Sequence, residues 1–166
     1  MNDGIEELTL YRALVRKLIE SGSTHQLPNS SPKHAAIIIE EMVRHAKDSF
    51  VAVSDCFDSS VWGSEVVQAL VEACRKGVSV GLLAVKSAEH IDNWDPEVRS
   101  CVRRLSDDDA ASDAKTANFA VMDKRALRLE TDKSKFLASF FANNAELAGL
   151  AFERFGVLKG RSVAFA

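Results

Sequence analysis

The sequence predicts an α/β fold: a mixed sheet sandwiched by helices, with a helical extension at the N-terminus. Three observations carry this reading. The runs "FVAVS" (50–54) and "VSVGLLAV" (78–85) are short and apolar, and the second is nearly continuous, as in strands covered on both faces. Between them Val66, Val67, Leu70, Ala73 and Cys74 repeat at helical spacing, and Gly77 supplies a stop. Strands joined in this way run parallel in a right-handed unit. Finally, "KTANFAVMDKRALRLE" (115–130) alternates apolar and polar residues on both sides of a tight turn at Asp123-Lys124-Arg125, the pattern of a hairpin.

The remaining elements follow in order. Residues 5–20 place Leu8, Tyr11, Leu14, Val15, Leu18 and Ile19 on one helical face, and Gly22 ends the run. The segment 21–32, rich in Ser, Pro and Asn, reads as an exposed linker, so 1–32 is expected to be a helical extension and 33–166 the α/β domain. Ser31 caps and Pro32 opens a helix that buries Ile37, Ile38, Met42 and Val43. Asp95 and Pro96 open a further helix over 95–105, followed by the acidic loop "SDDDAASDA". After the hairpin, Phe136, Phe140, Leu147, Ala148, Ala151 and Phe155 predict one long helix from about Lys135 to Phe155, and "VLKGRSVAFA" an edge strand. The predicted order is α-α-β-α-β-α-β-β-α.

Composition narrows the function classes. The 166 residues are 46% hydrophobic and 27% charged, enough for one domain with a core. A net charge of -3 argues against a surface that grips nucleic acid everywhere, although a local basic patch remains compatible with it. No apolar run approaches the roughly 18–20 residues of a membrane span. The start "MNDGIEEL" lacks the pattern of a secretory signal. Three cysteines, Cys56, Cys74 and Cys101, without a CxxC pair suit reduced thiols and a cytoplasmic setting.

Few residues suggest chemistry. The i, i+4 pair Glu41 and His45 could hold a metal, but a solvated helix face explains it more simply; no metal site and no cofactor are expected. His25, His34 and His90 are scattered, no GxSxG elbow occurs, and the glycines have neither P-loop nor dinucleotide spacing. Asp107, Asp108 and Asp109 could attract Mg²⁺ but read more simply as a solvated loop. Ser54, Asp55 and Cys56 leave one parallel strand at its carboxyl end, and Lys86 leaves the other, where open α/β sheets bind ligands. They are candidates for holding a polar ligand or, in the alternative reading, for a small α/β enzyme acting on a phosphate-containing or other polar substrate.

The spacing Thr116-x-Asn118-x₄-Asp123, followed by Glu130-Thr131, resembles the phospholipase D superfamily signature His-x-Lys-x₄-Asp with its Gly/Ser pair six residues on. The resemblance covers roughly 33–158 and includes the later helix "FFANNAELAGLAFERF". It implies a phospholipase D-like fold and a degenerate site. The family's nucleophilic histidine and phosphate-holding lysine correspond to Thr116 and Asn118, which supply neither an imidazole nor a fixed positive charge. The expectation is a catalytically inactive domain, a pseudoenzyme, that binds or assembles as a regulatory or accessory protein. Its candidate ligand residues are Ser54, Asp55, Thr116, Asn118, Asp123 and Thr131, and it has no catalytic residue. A nucleotide or nucleic acid is the candidate ligand. Because the family builds its site from two units about a two-fold axis, the resemblance also implies a homodimer, or a heterodimer with an active homologue.

Overall fold

A computed structural model describes residues 3–87, 89–106, 116–135 and 137–165. The Asp107–Asp109 run and Phe136 lie outside the described residues. Among those described, the elements are α1 (Asp3–Ser21), β1 (Gln26–Asn29), α2 (Pro32–His45), β2 (Ser49–Ser54), α3 (Ser64–Arg75), β3 (Ser79–Ala84), a 3-10 turn (Glu89–Asn93), α4 (Pro96–Arg99), β4 (Val102–Leu105), β5 (Phe119–Met122), β6 (Ala126–Asp132), β7 (Leu137–Phe141), α5 (Ala145–Gly160) and β8 (Ser162–Ala164). The eight strands form one mixed sheet in the order β1-β7-β6-β5-β2-β3-β4-β8. β2, β3 and β4 are parallel, and every other pairing is antiparallel. No described helix is long and apolar enough to cross a membrane.

Each sheet face has its own core. Phe50 and Ala52 of β2 point toward α2 and α3, where Ile38, Met42 and Leu70 pack on them. Val51 and Val53 point the other way and join Phe155 and Leu158 of α5. Period-two alternation thus buries both faces of β2, which is why its sequence is apolar throughout. Gly81 of β3 lets α5 lie close, since a Cβ there would come within 2.7 Å of Phe155.

The expected strand-helix-strand unit, the hairpin and the final edge strand are present. Ser31 caps α2 by accepting from the His34 N–H, and Asp95 caps α4 by accepting from the Glu97 N–H. Three expectations are corrected. The long helix from Lys135 is instead the end of the β6–β7 hairpin followed by α5, which starts at Ala145 with Asn144 as its cap. The helix over 95–105 lasts one turn, and Val102–Leu105 pairs with β3 and β8. The linker 21–32 is not free: Gln26–Asn29 is an edge strand on β7, a position that tolerates Pro28.

The N-terminal helix is also tied down. Val15 and Ile19 are fully buried in the core beneath α2. Glu41 of α2, itself fully buried, accepts from Arg12 at 2.9 Å and from Arg16 at 3.0 and 3.2 Å. Burial pushes the Glu41 carboxyl up, but the hydrogen bonds and charges of Arg16 and Arg12 outweigh it and hold it below its ordinary value.

Candidate functional site

The hairpin ends serve different purposes. At the turn, Asp123 and Lys124 take left-handed φ angles of 52° and 54°, and the Arg125 N–H donates to the Met122 carbonyl. The Asp123 carboxylate accepts from the backbone N–H groups of Lys47, Asp48 and Ser49 at 2.8–3.2 Å. It staples the hairpin to the loop entering β2. Asp123 therefore lies at the opposite end of β5 from Asn118, with its oxygens committed to the backbone.

At the other end, a cavity of about 200 Å³ opens beside the carboxyl end of β2. Ser54, Asp55, Asn118, Arg128, Glu130 and Lys133 supply its polar lining, and Ile39, Val61 and Trp62 part of its apolar wall. The sheet brings these groups together. Antiparallel register sets Glu130 opposite Ala138 and Ala138 opposite Asn29, while the Glu130 N–H donates to the Asn118 carbonyl. Opposed residues share a sheet face, so Asn29 and Glu130 form a polar row under α1 and α2.

The bonds fix most of these side chains. Asn118 accepts from the Asp55 N–H at 3.0 Å through Oδ1 and donates Nδ2 to Glu130 at 3.3 Å. Asp55 is held by Lys133 at 2.7 Å and Lys86 at 3.3 Å. Ser54 Oγ accepts from the N–H of Phe57, a residue with a φ of 51° whose ring meets Trp62 and Trp94 edge-on. Burial pushes the Cys56 thiol up, and the charges of Asp58 and Asp55 add to it. That leaves the alternative enzyme's cysteine and serine poorly disposed as nucleophiles.

Arg128 is the exception. It is 4% exposed, and Nη1 meets Glu130 at 3.4 Å, while Nε and Nη2 have no hydrogen-bond partner among the described residues. Burial pushes its guanidinium below the ordinary value, with the charge of Glu130 opposing. Tyr11 Oη and both amide atoms of Asn29 are likewise buried without partners. Burial raises Tyr11 to about 12, with the Arg128 charge opposing.

Of the six sequence candidates, Ser54, Asp55 and Asn118 line the cavity. Thr116 accepts from Arg154 at 3.4 Å, and Thr131 donates to the Leu137 carbonyl, both outside the lining. Arg128 and Lys133 are lining residues that sequence reasoning missed, and Glu130 was noted only as part of the motif. In "ALRLETD" the alternation puts Leu127 and Leu129 toward α5 and reads as a strand with Arg128 and Glu130 in water. Only the helices packed on the other face bury them. The solvated face expected for Glu41 and His45 is corrected: Glu41 is fully buried and turned to the arginines, and the His45 ring lies 2.8 Å from its carbonyl and 3.6 Å from its carboxylate.

The sequence matches no protein-family model and no curated protein. Among solved structures, the chain is similar to TrmBL2, an archaeal chromatin protein with a novel mode of DNA binding (TM-score 0.66, 12% identity). The match covers 98% of this chain and 62% of TrmBL2, so the chain spans about three-fifths of that protein's length. It is also similar to Nuc from Salmonella typhimurium, a phospholipase D family member (TM-score 0.56, 15% identity, 85% of this chain and 97% of Nuc). NucT from Helicobacter pylori is matched with a TM-score of 0.58 at 11% identity, over 85% of this chain and all of NucT. The chain has a phospholipase D-like fold.

Proposed function

We propose that this chain is a non-catalytic phospholipase D-like domain that binds a small polar ligand in the Asn118–Arg128 cavity as a regulatory or accessory protein. The observation that carries this reading is Asn118. Where the resemblance calls for a phosphate-holding lysine stands a neutral amide spent on both sides, on Asp55 and Glu130. Thr116, at the nucleophile's position, has a hydroxyl engaged by Arg154. Among the described residues no histidine lines the cavity; His34 stacks on Tyr11, and His45 contacts Glu41 and Glu20. Without an imidazole, in-line attack on a phosphodiester lacks both its nucleophile and its proton donor. Three free cysteines agree with a reducing, cytoplasmic setting.

Thermal-shift screening against phosphates, nucleotides and short oligonucleotides tests this. A saturable rise in Tm with a small ligand is expected; no response to any class leaves assembly alone and defeats the binding reading. Nucleic acid is the second reading, favoured by the likeness to TrmBL2. The net charge of -3 weighs against it. A two-fold homodimer remains part of the proposal, and exposed Leu147, Leu150 and Val157 on α5 are compatible with a partner face. Light scattering should return twice 18.2 kDa; a concentration-independent monomer would remove the dimer.

A further inference from the structure

We infer that the cavity recognises an oxyanion, the carboxylate or phosphate of a small molecule, through the Nε/Nη2 edge of Arg128. A guanidinium presents parallel N–H groups along that edge, and they match two oxygens of a carboxylate or phosphate. In this chain the opposite side is already engaged, because Nη1 faces Glu130 at 3.4 Å. The bidentate edge is buried and has no partner among the described residues. A buried donor without a partner is costly, and two on one charged group call for an occupant.

Further features agree. Tyr11 Oη and Asn29 Nδ2 are additional buried donors without partners among the described residues; Asn29 shares the sheet face of Arg128 and Glu130, but neither residue lines the cavity itself. The lining carries three carboxylates, Asp55, Asp58 and Glu130, against two cations, Arg128 and Lys133, while Lys86 reaches Asp55 from outside it. Such a lining does not attract a polyanion, so it favours one charged head held by direct hydrogen bonds. The volume of about 200 Å³ is suited to a compact acid and too small for a nucleic-acid strand.

This inference rests on the binding reading above, and the two fail separately. Absence of a thermal response to every ligand class would overturn that reading, whereas a response to other ligands but not to oxyanions, or one that the Arg128 variants leave unchanged, overturns the oxyanion assignment alone. The full chain is titrated with inorganic phosphate and, separately, with malonate, against sodium chloride at equal ionic strength. Tm and the fluorescence of Trp62, which lines the cavity, are followed. A saturable response to at least one oxyanion and none to chloride is expected; the stronger arm identifies phosphate or carboxylate as the head group. Arg128→Lys keeps the charge but loses the paired N–H groups, and should weaken binding about tenfold or more. Arg128→Met combined with Glu130→Gln, which removes both members of the buried pair, provides a second variant should Arg128→Lys not fold, and should abolish the response. Absence of any saturable response in the wild type, or equal affinity in all folded variants, would overturn the assignment.

Discussion

Two regions of this domain bury charge, and they treat it in opposite ways. At the α1–α2 seam, Glu41 is fully buried, and two arginines satisfy its oxygens at 2.9–3.2 Å. At the cavity, Arg128 is nearly as buried, yet it has one long contact and two nitrogens without partners. A saturated buried charge ties elements together, whereas an unsaturated one holds binding capacity in reserve at the expense of stability. Asp123 belongs with Glu41, since three backbone N–H groups consume its carboxylate. The contrast separates residues of the hairpin that hold the fold from residues with bonding capacity to spare.

The largest effect should come from breaking the seam. Arg12→Ala with Arg16→Ala removes both arginine partners of Glu41, leaving only the His45 ring at 3.6 Å, and should cost about 3–5 kcal/mol in chemical denaturation. Glu41→Gln should cost less, because Arg12 and Arg16 are 32% and 50% exposed and can rehydrate. Equal losses would show that the arginines do not compensate a buried charge. Next, Asp123→Ala should cost about 2–3 kcal/mol, since hydrogen bonds to a charged acceptor are lost, and should leave oxyanion binding unchanged. A normal Tm with lost binding would reverse the roles assigned to the two hairpin ends.

A graded effect is expected with pH. Glu41 is held below its ordinary carboxyl value when folded, so its contribution is present above the unfolded pKa, about 4.3. It is lost as pH falls through the lower folded value. Denaturation midpoints measured from pH 6 downward should fall less steeply in Glu41→Gln than in the wild type; parallel curves would contradict the seam. The smallest effect should come from Arg128→Met combined with Glu130→Gln. Removing both members of a poorly satisfied buried pair should change stability by about 1 kcal/mol or less, or raise it, while the oxyanion response disappears. A large loss of stability would make Arg128 a structural residue like Glu41.

Much of the fold was legible where one periodicity dominated, as in β2, α3 and β3, and where a cap was spelled out, as at Ser31 and Asp95. It was illegible where two periods coincide. Residues four apart share a face in both a helix and a strand, so Phe136 and Phe140 fitted the helical reading although Phe140 lies in β7. Val98, Val102 and Leu105 also have helical spacing but straddle α4 and β4. The strand β1 was hidden because Pro28 and its polar neighbours suit an edge as well as a loop. For the site, position at a strand end marked Ser54 and Asp55, and the motif spacing marked Asn118. Arg128 escaped because its burial comes from helices remote in sequence, which no local pattern reveals.

Whether this hairpin binds without catalysing is decided by hydrolysis of bis(p-nitrophenyl) phosphate. The assay is run with and without divalent metal beside a heat-killed control, using Asp123→Ala to detect dependence on the hairpin. No turnover above the control is expected. Metal-independent turnover that survives repeated purification, and that disappears in Asp123→Ala under conditions where the variant remains folded, would instead make the chain an enzyme.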